Sequence, residues 1–192
     1  MEFQGKCIIF SAPSGAGKTT IVHHLLSQLN ELEFSISATS REKRKGEING
    51  KDYHFMTVDS FKSAITNEEF VEWEEVYANN FYGTLKSEMT RIWNQKKHVI
   101  FDVDVLGGIN LKSIFKENAF SIFVQPPSIE ELENRLKNRG TETEESIARR
   151  VGKANEEMKS ADKFDFILVN DNLEKAKKEA ILVVQSYLQS NS

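Results

Sequence analysis

Four short apolar runs punctuate the chain, at residues 7–12, 99–103, 120–124 and 164–169. They are rich in Ile, Val and Phe and do not alternate with polar residues, the pattern of strands buried on both faces of a parallel sheet. Amphipathic stretches lie between them. Val22, Leu25, Leu26 and Leu29 fall at i, i+3, i+4 and i+7, and Leu85, Met89, Ile92 and Trp93 mark a second apolar face. Ile129, Leu132 and Leu136 mark a third, with Ser128 and Glu131 placed as a capping box. A last helix is predicted to open near Asp171, with Leu173, Ala176, Ala180, Ile181 and Val184 on its apolar face. Strands alternating with helices predict an α/β fold with a parallel sheet flanked by helices.

Two segments break this rhythm. Residues 35–84 mix polar, basic and aromatic positions in short stretches around the turn signal Asn49-Gly50, and predict a small β-rich insertion. Residues 139–159 are charged and weakly apolar, which suits either a solvated helical hairpin or a mobile lid carrying arginines. The expected division is a core of residues 1–34, 85–128 and 160–192, an insertion at 35–84 and a lid at 129–159, all within one domain.

Composition narrows the function. The chain has 192 residues and a formal charge of −4, which disfavours a broad grip on nucleic acid. No run of about 18 apolar residues and no signal-peptide pattern is present, so a cytoplasmic protein without a membrane partner is expected. The single cysteine, Cys7, sits in an apolar run and reads as a small buried hydrophobe. Oligomeric state, monomer or homodimer, is left open by the sequence.

The chemistry begins in "SAPSGAGKTT", residues 11–20. An apolar strand precedes it and an amphipathic helix follows, the context of a phosphate-binding loop. Ala12 stands where the first glycine of the usual motif falls, which is tolerable where φ is negative. Gly15 and Gly17 supply the backbone freedom that lets N–H groups wrap a phosphate. The candidate ATP-binding residues are Ala12, Pro13, Ser14, Gly15, Ala16, Gly17, Lys18, Thr19 and Thr20. Lys18 offers an ammonium to the β/γ-phosphates, and Thr19 a hydroxyl to Mg²⁺. The loop alone says nucleoside triphosphate. A GTPase is disfavoured, because the Asn-Lys-x-Asp guanine motif is replaced by Val169-Asn170-Asp171-Asn172.

Further pieces carry a resemblance: "SISATSREKRKGEINGKDYHF" (35–55), "EEFVEWEEV" (68–76), "NNFYGT" (79–84), "VIFDVDVLGG" (99–108) and "RGTETEESIARR" (139–150). In this order, with the phosphate loop, they resemble the guanylate kinase family over nearly the whole chain. The resemblance implies the P-loop NTPase fold and Mg²⁺-dependent phosphoryl transfer from ATP to GMP, and to its deoxy form, within purine nucleotide metabolism. It also implies a GMP site of Ser37, Arg41, Arg44, Tyr53, Glu72, Tyr82, Thr84 and Asp104. Two guanidinium forks and phenols suit a phosphate monoester. An ionised Glu72 accepts from the N1–H and 2-amino group of guanine, whereas adenine offers neither. Asp102 is expected near the outer sphere of Mg²⁺, and Gly107-Gly108 at a close backbone approach or a helix-opening turn. Arg135, Arg139, Arg150 and Asn170 are expected to approach ATP. Lys18, Arg41, Arg44, Arg139 and Arg150 are the candidates for neutralising charge on the transferred group. Glu74 and Glu75 read as surface residues.

Two rivals use the same scaffold. A protein-binding module that has lost its chemistry would have a degraded phosphate loop. A kinase for another phosphorylated ligand would have no use for Glu72.

Overall fold

The computed structural model describes residues 5–138 and 143–190. In chain order the elements are β1 (Cys7–Ser11), α1 (Lys18–Gln28), β2 (Leu32–Phe34), β3 (Ala38–Thr39), β4 (His54–Phe55), α2 (Val58–Thr66), β5 (Phe70–Tyr77) and β6 (Asn80–Leu85). They continue with α3 (Lys86–Asn94), β7 (His98–Val103), α4 (Val105–Phe115), β8 (Ala119–Gln125), α5 (Ile129–Asn138), α6 (Glu144–Met158), β9 (Phe166–Val169) and α7 (Leu173–Gln189). The chain divides into two compact units, residues 31–101 and residues 6–30 with 102–190.

The second unit is built on the apolar runs. β1 pairs in parallel with β8, from Cys7↔Ala119 to Ser11↔Phe123, and β8 with β9, from Ile122↔Phe166 to Gln125↔Val169. Every residue of β1 is buried, as its unbroken apolar run requires. β9 departs from that expectation: Leu168 is buried but Ile167 and Val169 are exposed, so this strand is covered on one face only. α4 packs on β1 and β8, and α7 on α1 and β9. Gly108 lets α4 come close, since a Cβ there would lie 2.1 Å from Ser11 Oγ. Ser128 caps α5 by accepting from the Glu131 N–H at 3.1 Å. α7 is capped by Asn172, which accepts from the Lys175 N–H at 3.1 Å, one residue beyond the expected Asp171. Either side chain can cap, and the backbone selects the one lying next to the first helical residue. At the other end of α7, Lys6 donates to the carbonyl of Tyr187 at 2.8 Å. Its ammonium lies 4.8 Å from the centre of that ring.

The first unit holds a parallel pair, β2 with β7, and a four-stranded sheet of order β4-β3-β6-β5. Residues 35–84 carry this four-stranded sheet together with one element the sequence reading lacks, the helix α2. Thr57 caps it by accepting from the Ser60 N–H at 3.1 Å. Phe61 and Ala64 on its inner face join Ala38, Phe70 and Phe81 in a small core. Phe61 stacks on Phe70 with ring centres 4.4 Å apart. Burying an aromatic of this size contributes roughly 1.5–3 kcal/mol, enough to hold a helix too short to stand alone.

Candidate active site

Each unit carries one set of candidate side chains. In the second unit the chain leaves β1 at Ser11 and bends through residues 12–17 into α1. Ala12 is buried and is not among the residues with positive φ, so the methyl group that replaces the usual glycine costs no backbone strain. Gly15 and Gly17 do take left-handed conformations, φ 100° and 95°, which an L side chain adopts only at a cost. Gly15 faces α5, where an added Cβ would lie 3.0 Å from Leu136 Cδ2. The Ala16 N–H donates to the Pro13 carbonyl at 3.1 Å, closing the turn. Gly17 is the residue before α1, so the first N–H groups of that helix open toward the loop.

Lys18 is in direct contact with Asp102, at the end of β7. Burial lowers its ammonium to about 7, while Asp104 and Glu157 favour the charged form. Contact with the Asp102 carboxylate favours it further. Thr19 donates to the other oxygen of Asp102 at 2.7 Å. Hydroxyl and carboxylate thus offer hard oxygen donors side by side, a set that suits Mg²⁺, which takes few protein ligands and completes its shell with water and phosphate. No cluster of three or more His, Cys, Asp or Glu able to hold a metal occurs among the described residues.

Asp104 caps α4: its carboxylate accepts from the Gly107 N–H at 2.8 Å, and its carbonyl from Ser11 Oγ at 3.0 Å. Gly107 thus serves the helix-opening turn and Gly108 the close approach. Arg150, on α6, donates to Ser14 in the phosphate loop. Arg135 is held by Glu131 at 2.9 Å and donates to the carbonyl of Asn170 at 3.0 Å. Asn170 is buried, and its amide donates to the Ala16 carbonyl at 2.7 Å. Arg139 lies outside the described residues.

In the first unit, β5 and β6 pair antiparallel with Glu72↔Thr84 and Glu74↔Tyr82 opposite each other. Thr84, fully buried, donates to Glu72 Oε1 at 2.8 Å and aims the carboxylate. Gly83 permits this close pairing: a Cβ there would lie 2.9 Å from the Glu72 carbonyl. Glu75 is exposed, as expected. Glu74 is not simply a surface residue, because one of its carboxylate oxygens is buried.

Arg41 lies 4.9 Å from the centre of the Tyr53 ring, and Tyr53 meets Tyr82 edge-on at 6.1 Å. These three phosphate candidates therefore converge. A residue the sequence reading passed over, Glu47, takes Arg41 in a bidentate pair at 2.7 and 2.6 Å and accepts from the Arg44 N–H at 2.8 Å. The Arg41 hydrogen bond leads in holding Glu47 down to about 2. No periodicity marks Glu47; the only cue is its place in the same basic turn. The Arg44 side chain is exposed. Ser37 precedes β3, and its carbonyl accepts from the His54 N–H at 2.9 Å.

A fully buried strand, a loop bent at two left-handed glycines and a lysine at a helix N-terminus define a P-loop nucleotide-binding protein. The model of the guanylate kinase family matches residues 4–190. The chain is 51% identical to the guanylate kinase of Bacteroides thetaiotaomicron over 187 residues, which is 97% of this chain and 92% of that protein. It is 50% identical to the guanylate kinase of Bacteroides fragilis over 185 residues, 96% of this chain and 91% of that one. The crystal structure of guanylate kinase from Anaplasma phagocytophilum superposes with a TM-score of 0.80 at 27% identity, covering 99% of this chain and 89% of that one. The chain belongs to the guanylate kinase family.

Proposed function

We propose that this protein is a guanylate kinase, transferring the γ-phosphoryl group of ATP to GMP, and to dGMP, with release of ADP. The family membership supports the reaction class. The observation that carries the choice of acceptor is Glu72, a carboxylate that accepts from Thr84 at 2.8 Å and, when ionised, can only accept hydrogen bonds. Guanine has a pair of adjacent donors; adenine would leave the charge unmatched.

In this reading the phosphate of GMP lies against Arg41, Arg44, Tyr53 and Tyr82. One of its oxygens attacks the γ-phosphorus in line as the bond to the β-γ bridging oxygen breaks. That oxygen is already anionic, so no strong base is needed. Lys18, Arg150 and Arg139 neutralise charge on the transferred group. Thr19 would hold magnesium, with Asp102 near its outer sphere; when bound, the metal would neutralise charge on the phosphate oxygens. Ser37 and Asp104 complete the base contacts, and Arg135 and Asn170 the ATP side. The 35–84 insertion and the 129–159 lid close over both nucleotides and exclude water. Solution scattering tests the closure: the radius of gyration falls when GMP and a non-hydrolysable ATP analogue are added together.

A coupled assay with GMP, dGMP, AMP and ribose 5-phosphate tests the function. Turnover with GMP and dGMP alone is expected; equal turnover with AMP or the sugar phosphate would overturn the assignment. ATP binding without turnover on any of the four would favour the binding-module alternative.

A further inference from the structure

Glu88 is a buried carboxylate that none of the chemistry above uses. It lies in the first turn of α3 and is 5% exposed. A charge taken this far from water must be matched by donors, and Glu88 is matched from three directions. It accepts from the Ile36 backbone N–H at 2.9 Å. Arg91 grips it with two donors, at 3.0 and 2.8 Å. The His54 ring completes the set, with Nε2 3.3 Å from Oε1. Arg91 also donates to the Phe34 carbonyl at 2.9 Å. Burial pushes the Glu88 carboxyl upward, but the Arg91, Ile36 and His54 contacts outweigh it and leave it below the usual range.

The groups held in this way are neighbours of the proposed acceptor site. Ile36 precedes Ser37, and His54 follows Tyr53. The strands that carry these segments, β3 and β4, are two residues long each; they pair with each other at Ala38↔His54 and Thr39↔Phe55, and β3 also pairs with β6 at Ala38↔Gly83 and Thr39↔Tyr82. Neither ladder includes Ile36. A buried ionic contact that grips one backbone N–H and one ring from a third element adds a restraint on both segments at once. We propose that Glu88 is a positioning residue for the acceptor nucleotide, fixing the backbone at Ser37 and Tyr53 through Ile36 and His54 and touching no substrate itself. The inference rests on the acceptor site proposed above.

The test compares wild type, Glu88→Ala, Glu88→Gln and Ala64→Gly by steady-state kinetics and thermal unfolding. Ala64, in the small core of α2, is not one of the groups hydrogen-bonded to Glu88, and its variant reports the effect of lost stability in the same unit. Outer partners that aim a ligand are worth about 10-fold to 100-fold where this has been measured at metal centres. For Glu88→Ala the KM for GMP is expected to rise about tenfold, with kcat and the KM for ATP within twofold of wild type. Glu88→Gln keeps one acceptor for the Ile36 N–H and should fall between. Arg91 is 36% exposed and keeps its bond to the Phe34 carbonyl, so in Glu88→Ala its charge stays within reach of water; thermal unfolding reads any loss of stability. The inference is overturned if the KM for GMP is unchanged in Glu88→Ala, if kcat and the KM for ATP deteriorate in parallel with it, or if Ala64→Gly raises the KM for GMP as much. Failure of the wild type to phosphorylate GMP would remove the acceptor site itself, a separate outcome read in the same assay.

Discussion

The side-chain amide of Asn170 donates to the carbonyl of Ala16 at 2.7 Å, joining the end of β9 to the phosphate loop across 154 residues of sequence. An added Cβ on Gly17 would lie 2.4 Å from the same amide nitrogen. Gly17→Ala therefore meets two penalties, a left-handed φ of 95° worth about 1–2 kcal/mol and a collision with Asn170. Asn170→Ala alone should raise the KM for ATP about fivefold, the loss of one hydrogen bond of about 1 kcal/mol, and leave the KM for GMP unchanged. In the double variant the collision is gone, so its loss of stability should be smaller than the sum of the single losses. Urea unfolding of the four proteins measures this.

Lys18 is the one ammonium the phosphate loop presents, and it contacts Asp102. Lys18→Ala should lower kcat by at least about 100-fold. Asp102 keeps its hydrogen bond from Thr19 at 2.7 Å, so Tm should change little. A turnover rate near wild type would remove Lys18 from the mechanism.

Glu72→Gln keeps shape and removes the charge. The amide oxygen accepts one donor and its NH₂ opposes the other, so the KM for GMP should rise at least about tenfold with the KM for ATP unchanged. Gly83→Ala should act in the same direction by forcing β6 away from the Glu72 carbonyl, 2.9 Å from the new Cβ. Isothermal titration with GMP alone reads both.

The Arg41–Glu47 pair sets a pH dependence whose sign is fixed. The Glu47 carboxyl is held down from its ordinary 4.5 to about 2, chiefly by the Arg41 hydrogen bond. A depressed carboxyl contributes its stability above the unfolded value and loses it as pH falls through the folded one. The stability difference between wild type and Glu47→Gln should thus be constant above about pH 5 and shrink toward pH 2. Denaturant midpoints across that range check it.

Cys7 is fully buried in β1, and burial pushes its thiol up to about 12. A thiol that stays protonated and shielded is a poor nucleophile. It should resist thiol reagents in the native protein at pH 8 and react fully once the chain is unfolded.

Much of this was readable before any coordinates. The phosphate loop is one contiguous stretch between a buried strand and an amphipathic helix, so its residues meet wherever the chain folds locally as it must. The fold class follows in the same way, from apolar runs and 3.6-residue repeats that depend only on near neighbours. Less legible were features set by register and packing. Thr84 aims Glu72 because β5 and β6 pair with those two residues opposite. Helix α2 escaped notice because its two buried residues, Phe61 and Ala64, matter only once Phe70 and Phe81 pack on them. The one-sided burial of β9 depends on which elements cover it, which the composition of a four-residue strand does not state.

The sequence by itself determined the apolar strands and amphipathic helices of the α/β core, the phosphate loop and the family, because each rests on residues near one another in the chain or on their order. Only the tertiary structure decided which carboxylate would serve which partner: Glu47 with Arg41, Asp102 with Lys18 and Thr19, Asp104 with the start of α4, and Glu88 with Ile36, Arg91 and His54. The chain has 29 acidic residues, alike in chemistry when read as letters. What separates them is burial and the donors within hydrogen-bond reach, and those are properties of position in space.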